Sequence, residues 1–536
     1  MVSIMRNSLG LLFAALVAAL FVMPVSALAQ SIGFKQAVAE ASKGDRDIAA
    51  FYKANGYQPI WTGSGKSDRQ RRRHFLQAIE NADVHGLPVA RYQPDVLETN
   101  LRRVRSDREL GALEVEMSRL FLLYARDVQT GIVVPARADS DIVRKVPLRN
   151  RQAVLQAFSK SSPKAFLNSL PPSSAEYTRL TKEKLRLEKI IGKGGWGAEV
   201  PNAKIEPGAR GPAVVALRNR LINLGYLNRT SVDVYDGKMV AAVQAFQRDH
   251  GLHADGVVGP GTRGEINASA AKRLSQVMVA MERERWLNMP GGLGDRHVWV
   301  NLADFRTKLI DNGKVTFETK SVVGERLREK RTPEFSDKIE YMEINPDWTV
   351  PRSILGRDYL PRLQQDPSAA AYLQLIDLNG RVVSRESIDF NLYTEETFPF
   401  TVRQPPGRAN ALGTVKFMFP NPHAIYLHDT PARNLFSREV RTFSSGCVRL
   451  FDPHDFAYVL LKRQMSNPEP YFQRILNSGQ QTIVPLDESV PVHLVYRTAF
   501  TQAKGRTQFR RDIYGRDARI FEQMQNAGVS LRAVRG

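Results

Sequence analysis

The sequence predicts a multidomain α+β protein with a helical region, a small three-helix domain and a β-rich domain that carries an inserted capping subdomain. With 536 residues, the chain is too long for a single hydrophobic core. Apolar residues recur at helical spacing through the first half, and from His297 they alternate as in strands. A hydrophobic content of 43% with 24% charged residues is typical of globular proteins.

Residues 1–29 are predicted to be an export signal. Arg6 precedes an apolar run at 9–23, and Ala27-Leu28-Ala29 is a small-x-small cleavage site. The run is shorter than the roughly 20 residues that span a bilayer, so we expect cleavage and no stable membrane span afterwards. The mature protein is therefore expected in the periplasm or cell envelope.

The formal net charge of +21 would suggest nucleic acid as a partner in a cytoplasmic protein. An exported protein meets anionic envelope polymers and membrane surfaces instead. We therefore predict no nucleic-acid partner.

Residues 30–200 are predicted to be a helical scaffold domain. Phe75, Ile79 and Ala82 lie on one helix face, and breakers such as Gly86-Leu87-Pro88 separate the helices. Its histidines, His74 and His85, lack metal-ligand spacing. We predict a scaffold or substrate-holding role for this region.

Residues 208–268 are predicted to form three short helices. Val214, Leu217 and Leu221 stripe the first, and Val243 and Phe246 stripe the second. A motif series resembles the bacterial peptidoglycan-binding domain: GxxGxxVxxL at 208–217, LGY at 224–226, DG at 236–237, AVxxFQ at 242–247 and GLxxDGxVG at 251–259. One departure is Arg218, where that family usually has glutamine. Whether the unit binds glycan or docks internally stays open. A charged linker helix is predicted within 272–295.

Residues 296–500 are predicted to be the β-rich domain. Val298, Val300 and Leu302 alternate, and Asp311-Asn312-Gly313 is a hairpin signal. The stretch 331–411, rich in proline and aromatic residues, interrupts this pattern. Insertions of this size are often lids over active sites, so we predict a capping subdomain there. Residues 501–536 are expected to be a C-terminal extension.

Cys447 is the only cysteine, and His428 precedes it by nineteen residues. Most lone cysteines are inert core residues, but an unpaired thiol in an exported protein is unusual. A thiol of pKa ~8.5 needs a base, and His428 ends a strand where it can present its imidazole. Position alone does not choose between His428 and the three other histidines of this domain, His423, His454 and His493.

Two neighbours of the thiol have predicted roles. Gly446 allows close backbone approach, so its N–H and that of Cys447 are candidate donors to an oxyanion. Arg449 adds positive charge two residues on.

The string HDT at 428–430 followed by SSGCVR at 444–449 resembles the signature of the bacterial L,D-transpeptidase catalytic domain. QPPG at 404–407, NALG at 410–413, KFxFPN at 416–421 and DIYGRD at 512–517 match its large branch, which has a lid-like insertion and an upstream wall-binding domain. Many members have histidine where this chain has Ser445. That departure strengthens the case for His428 as the base.

The resemblance implies that Cys447 attacks a tetrapeptide stem of peptidoglycan, releases D-alanine, and passes the thioester to the amine of a neighbouring stem. The product is a 3→3 cross-link, formed without metal or cofactor, and carbapenems are typical inhibitors. Other cell-wall synthesis proteins are conceivable partners. Arg449 is expected to bind a substrate carboxylate or to order the loop, and four further residues are expected to contact substrate: Ser445, Tyr426, Asn421 and Trp348.

Three alternative functions stay open. Delivery of the thioester to water would make the protein an L,D-carboxypeptidase, and delivery to a protein amine would anchor a lipoprotein. A catalytically inactive wall-binding scaffold is the alternative that is not an enzyme.

Overall fold

The computed structural model describes residues 31–533, which divide into two compact units. The first unit comprises residues 31–80, 92–125 and 149–168, and the second comprises 81–91, 126–148 and 169–533. The predicted export signal lies outside the described residues. Within residues 31–533, no helix is long and apolar enough to cross a bilayer.

The N-terminal region is helical, as predicted. Its helices are Ile32–Ser42, Arg46–Ala54, Lys66–Glu80, Pro94–Arg103, Asp107–Thr130, Pro135–Ala138, Arg151–Lys160, Pro163–Ser169 and Ala175–Gly192. In the first unit, Trp61 and Phe121 pack against Phe158, with ring centroids 5.1 and 4.3 Å apart.

The two compact units divide the region that the sequence predicts as a scaffold domain at 30–200. Residues 81–91, 126–148 and 169–200 belong to the second unit. Ile142, Tyr177 and Leu180 share a buried core there with Leu274 and Val277. The apolar faces of these segments are buried by distant parts of the chain, which local periodicity cannot reveal.

The three predicted helices of the small domain are Pro212–Asn223, Gly237–Asp249 and Pro260–Ile266. Val214, Leu217 and Phe246 lie in their shared core. The Asp236 side chain caps the second helix by accepting the Met239 N–H at 2.9 Å.

Helix Ala270–Trp286 differs from the linker predicted at 272–295. Its charged residues are buried: Arg285 pairs with Glu282 at 2.7 Å, and Arg283 pairs with Glu334 and with Asp517. The helix is a central element of the second unit.

The β-rich domain contains nine strands in one sheet. They are β1 (Arg296–Asn301), β2 (Arg306–Asp311), β3 (Lys314–Gly324), β4 (Phe335–Ile344), β9 (Val415–Met418), β10 (Leu427–His428), β11 (Thr442–Ser444), β12 (Val448–Leu450) and β13 (Thr482–Val495). The strand order is β11-β3-β12-β10-β9-β4-β13-β1-β2, and β3 also pairs with β2. That pairing closes eight strands into a barrel, with β11 attached beside β3. Helices Pro453–Leu461 and Pro468–Ser478 bury Phe456 and Phe472 in the barrel core.

The insertion lies between β4 and β9 and begins later than the predicted residue 331, because residues 335–344 pair with β9 and β13 in the barrel. It has its own sheet of β5 (Trp348–Thr349), β6 (Gln374–Ile376), β7 (Val382–Val383) and β8 (Thr401–Gln404), in the order β5-β8-β6-β7. Helices Arg352–Ile354 and Leu360–Gln365 join it around a separate core. A subdomain inserted in the barrel is therefore present.

The C-terminal residues form the β14 (Ala499–Phe500) and β15 (Gln508–Phe509) hairpin and helix Arg516–Asn526. Arg516 is fully buried and pairs with Glu334 at 3.3 Å. The Tyr514 hydroxyl donates to the Gly324 carbonyl at 2.6 Å. The predicted extension at 501–536 thus contributes integral residues to the second unit.

Candidate active site

The parallel pairing of β10 with β12 brings the predicted catalytic residues together. Leu427 lies opposite Val448, and His428 lies opposite Arg449. Cys447 directly precedes β12, where the Val448 N–H donates to the Tyr426 carbonyl at 3.1 Å. Because alternate residues of a strand share a face, Tyr426, His428, Cys447 and Arg449 all lie on one face of the sheet.

The loop that carries Cys447 is tied down on both sides. Ser444 Oγ donates to the Cys447 carbonyl at 2.5 Å, and Thr332 Oγ1 donates to the Gly446 carbonyl at 2.6 Å. Gly446 has φ +126°, a conformation that favours glycine. Its N–H donates to Ser444 Oγ at 3.2 Å, so this predicted oxyanion donor is already engaged.

The Cys447 thiol lies 3.6 Å from the Ala424 carbonyl. Burial raises the pKa of the thiol to about 11, while hydrogen bonds from Tyr426 and the positive charge of Arg449 oppose that rise. Ala424 has φ +51°, an uncommon conformation for a residue with a Cβ. No pattern in the sequence marked Ala424 as a neighbour of the sulfur.

His428 is buried, and its Nδ1–H donates to the Asp429 carbonyl at 2.5 Å. Burial, reinforced by the neighbouring Arg449 charge, lowers the pKa of this imidazole to about 3. In the described part of the chain no hydrogen bond joins His428 to Cys447. The two side chains lie on the same face of the sheet: His428 is opposite Arg449, and Cys447 lies two residues before Arg449.

Asp429 is held by a network that the sequence did not suggest. Its carboxylate accepts the Thr414 N–H at 2.9 Å and the Thr414 hydroxyl at 2.8 Å. His454 Nε2 lies 2.7 Å from the same hydroxyl. A Cβ on Gly413 would come within 2.3 Å of the carboxylate, so only glycine fits there. The network fixes the residue whose carbonyl orients His428.

The three other candidate histidines have different surroundings. His454 contacts Thr414, as described above. His493 bonds Ser336 Oγ at 2.8 Å and the Leu293 carbonyl at 2.9 Å. His423 is exposed, with its ring 5.3 Å from that of Phe335. Among the four, His428 alone lies on the strand beside Cys447.

Two predicted substrate contacts have other roles in the structure. Trp348 is buried in the separate core of the insertion. Asn421 uses its amide within its own turn, since Nδ2 donates to the Phe419 and Ile425 carbonyls at 2.6 and 2.8 Å. It therefore shapes the turn that contains Ala424.

Ser445 and Tyr426 stay close to the thiol. Ser445 is exposed on the Cys447 loop. Tyr426 packs against both the barrel core and the insertion core. Burial and the adjacent Cys447 raise the pKa of Tyr426 well above 10. Tyr426 is thus a contact between the barrel, beside the Cys447 loop, and the inserted subdomain.

Arg449 differs from nearby cations in lacking a carboxylate partner. Its Nε is buried without a hydrogen-bond partner, and it forms no ion pair within residues 31–533. By contrast, Lys416 on the adjacent strand pairs with Glu343 at 2.9 Å. A cation of this kind on the face of the nucleophile can bind an anionic group.

Comparison with protein-family models matches three parts of the chain. Residues 46–183 match the model described as "Scaffold domain", and residues 210–266 match "Putative peptidoglycan binding domain". Residues 295–463 match the model described as "L,D-transpeptidase catalytic domain". Residues 295–463 are thus similar to the L,D-transpeptidase catalytic domain.

A curated protein from Haemophilus influenzae, named "Putative L,D-transpeptidase", is 36% identical over 246 residues. The match covers 45% of this chain and 48% of the relative, so the chain spans about half the length of the curated relative it matches. The resemblance to the L,D-transpeptidase family noted in the motifs is thereby confirmed.

Two solved structures are also similar to this chain. An L,D-transpeptidase from Xylanimonas cellulosilytica is 15% identical, with 56% of this chain and 98% of that one covered and a TM-score of 0.17. An L,D-transpeptidase from Stackebrandtia nassauensis is 14% identical, with 56% and 97% covered and a TM-score of 0.21. At these TM-scores the superpositions support no conclusion about this chain.

Proposed function

We propose that the protein forms 3→3 cross-links in peptidoglycan through a thioester on Cys447. The observation that carries the proposal is the shared strand face on which Cys447, His428 and Arg449 lie together. A nucleophile, a base and an unpaired cation are the groups that acyl transfer between anionic peptides requires.

At neutral pH both partners rest uncharged. With a thiol pKa of about 11 and an imidazole pKa of about 3, Cys447 carries its proton and His428 carries one proton only. The Asp429 carbonyl can only accept, so the Nδ1 of His428 holds that proton. Nε2 is then the nitrogen without a proton and the proposed base, and the Leu412 carbonyl also lies within hydrogen-bond reach of the ring. Movement of the thiol from the Ala424 carbonyl to Nε2 would start the reaction.

In the first step, Cys447 Sγ attacks the carbonyl after the third residue of a tetrapeptide stem, and Nε2 of His428 takes the thiol proton. The Cys447 N–H is the proposed donor to the oxyanion, since the Gly446 N–H is engaged. The bond to the terminal D-alanine breaks, its amine leaves with the proton from His428, and a thioester remains.

In the second step, the side-chain amine of a neighbouring stem attacks the thioester. His428 accepts a proton from that amine and returns it to the leaving sulfur. One peptide bond has broken and one has formed, so no ATP is needed.

Arg449 is proposed to hold a carboxylate of the donor stem. Its guanidinium lies beside His428 and lacks an acid of its own in the described part of the chain. Pairing with a substrate carboxylate would satisfy this cation and fix the scissile carbonyl against the sulfur.

The inserted subdomain at residues 345–414 is proposed to cover the bound stems. Tyr426 joins its core to that of the barrel, next to Cys447. A cover that excludes water would favour the amine over hydrolysis of the thioester. The substrate implies an extracytoplasmic location, reached by the export signal predicted at 1–29.

Acylation by a carbapenem tests the nucleophile, with intact-protein mass spectrometry as the readout. The wild-type protein should gain one adduct, and Cys447→Ala should gain none. Cys447→Ser is the matched control, since it keeps a hydroxyl of similar size and should react far more slowly. An equal adduct on Cys447→Ala would refute the assignment.

The acceptor is tested on purified disaccharide-tetrapeptides. Release of D-alanine with a cross-linked dimer supports transpeptidation, whereas tripeptide alone would indicate a carboxypeptidase. Binding without turnover would favour the inactive scaffold.

A further inference from the structure

A polar cleft of about 870 Å³ separates the three-helix domain from the barrel. One wall is the loop at 248–253, which ends the second helix of the small domain. The opposite wall is the segment at 436–441, which lies between His428 and Cys447 in the chain. Residues within 303–308 at the start of β2 and within 508–511 around β15 also line the cleft. All of these residues belong to the second unit.

The cleft is strongly basic. Eight lining side chains are Lys or Arg, and four are carboxylates. All four acids are already engaged. Asp304 pairs with Arg510, Glu318 with Arg306, Glu439 with Arg511, and Asp249 accepts from Gln508. Four cations form no ion pair in residues 31–533: Arg248, Lys320, Arg438 and Arg441.

Arg441 is the informative member, because it is only 9% exposed. Its guanidinium donates to three backbone carbonyls, those of Ser321, Phe305 and Arg438, at 3.0, 3.0 and 2.9 Å. It forms no ion pair within residues 31–533, and the nearby Asp304 carboxylate, which acts on it through its charge, is already paired with Arg510. Retaining a buried cation with so little neutralising charge is costly, and an anion in the cleft would offset that cost.

The two walls are fixed relative to each other. Arg510 Nη1 donates to the Asp249 carbonyl at 2.9 Å, and Gln508 Nε2 donates to the Asp249 carboxylate at 2.7 Å. The His253 N–H contacts the Glu439 carboxylate at 3.3 Å. The small domain is therefore docked on the barrel, and these hydrogen bonds fix the position of one wall of the cleft relative to the other.

The cleft is also close to the nucleophile along the chain. Cys447 is six positions after Arg441, a distance of at most about 20 Å when fully extended. Segment 436–441 continues directly into β11 and the catalytic loop. A polymer lying in the cleft would thus place its next branch near Cys447.

We propose that this cleft is an exosite for a peptidoglycan strand, which it binds through the free carboxylates of the peptide stems. The proposal rests on the proposed function and adds a second contact with the same substrate. A glycan strand carries such carboxylates at regular intervals, which suits a long basic cleft better than a single anion. The match of one wall to a peptidoglycan-binding domain model agrees with this choice.

The test uses the full-length protein and the double variant Arg248→Glu/Arg438→Glu, whose two side chains are exposed on opposite walls. The control Lys314→Glu/Lys338→Glu changes the same charge at exposed sites that do not line the cleft. Binding to isolated sacculi is measured at several salt concentrations. Turnover is measured both on long glycan strands and on a single disaccharide-tetrapeptide.

We expect the cleft variant to bind sacculi at least about tenfold more weakly at low salt, with a smaller difference at high salt because screening weakens the wild type. The ratio of turnover on long strands to turnover on the disaccharide-tetrapeptide should fall similarly. The control variant should match the wild type in both measurements.

Three outcomes would overturn the exosite. They are an equal loss of sacculus binding in the two double variants, sacculus binding by the cleft variant equal to that of the wild type, and a loss of binding by the cleft variant that is seen only in a parallel assay on vesicles containing anionic phospholipid. Failure of the proposed function is distinct, since the wild-type protein would then form no carbapenem adduct on Cys447 whatever its affinity for sacculi. Thermal unfolding of each variant checks that it is folded.

Discussion

Two regions of the second unit bury arginine side chains, and they treat them oppositely. Around helix Ala270–Trp286, Arg283 and Arg516 are buried against the carboxylates of Glu334 and Asp517. On the strand face of Cys447, Arg449 forms no ion pair within residues 31–533, and the nearby Glu325 carboxylate, which acts on it through its charge, is paired with Lys330. Buried arginines that are paired with carboxylates stabilise the fold, whereas an arginine without an ion pair can bind an anionic group of the substrate.

The largest effect should come from breaking the paired cluster. Glu334→Gln leaves both Arg283 and Arg516 short of a negative charge in a buried site. We expect a loss of about 3–5 kcal/mol in unfolding free energy, since removing one partner strands the other charge. Denaturant unfolding measures it. Glu329→Gln, at an exposed and unpaired position, should leave the midpoint unchanged.

Arg449→Ala should behave in the opposite way. Because Glu325 keeps its ion pair with Lys330, the variant leaves no buried carboxylate without a partner and should unfold no earlier than the wild type. We expect kcat/KM on disaccharide-tetrapeptide to fall about a hundredfold, or ~2.7 kcal/mol, from the lost carboxylate contact.

Arg449→Lys should recover part of this activity, because it keeps the charge but not the planar fork. A loss of unfolding free energy in Arg449→Ala as large as that in Glu334→Gln would contradict the difference between the two regions.

Acid should destabilise the catalytic domain through its buried neutral histidines. Burial lowers the pKa of His428 to about 3 and of His493 to about 4, below the ordinary value of 6.5. The folded state thus binds fewer protons than the unfolded state below pH 6.5, and stability is lost as pH falls from there toward 4.

At pH 5 the loss is about 2 kcal/mol for each histidine. Unfolding midpoints across this range give the slope. His493→Gln should show a shallower slope, whatever its absolute stability. An unchanged slope would mean that His493 does not titrate on unfolding as described.

The smallest expected effect concerns Thr414, a positioning residue that acts through Asp429. Thr414→Val removes the hydroxyl that donates to the Asp429 carboxylate. We expect carbapenem acylation of Cys447 to be about fivefold slower, or ~1 kcal/mol. The carbapenem concentration that gives half the maximal acylation rate should change little.

Thr414→Ser should restore the rate, which a purely structural role would not require. Thr316→Val is the matched control, because it removes a similar threonine–carboxylate bond to Asp311 at a site remote from Cys447. Equal losses in both variants would contradict the positioning role.

The sequence predicted the β-rich domain well, because strand alternation and motif spacing are local. It placed His428 at a strand end, and this position is observed. It failed where distant chain segments decide the surroundings. Trp348 looked available to substrate, yet the insertion has a core of its own that buries this ring.

The charged helix at 270–286 was misjudged for the same reason. It was predicted to be a charged linker, yet its charged residues pair with residues far along the chain: Arg283 pairs with Glu334 and Asp517, and Glu284 pairs with Arg497. Ala424 and Thr414 gave no signal at all, since their roles depend on backbone geometry and on a tertiary hydrogen bond.

The two ends of the insertion leave the barrel side by side. Ile344 and Val415 are cross-strand partners, and the Asn345 N–H donates to the Thr414 carbonyl at 2.8 Å. A short hairpin turn could therefore join β4 to β9 directly. Loss, gain or exchange of the subdomain would therefore leave the strand pairing of the barrel unchanged. Substrate range could in this way diverge among descendants that keep one unchanged chemical centre.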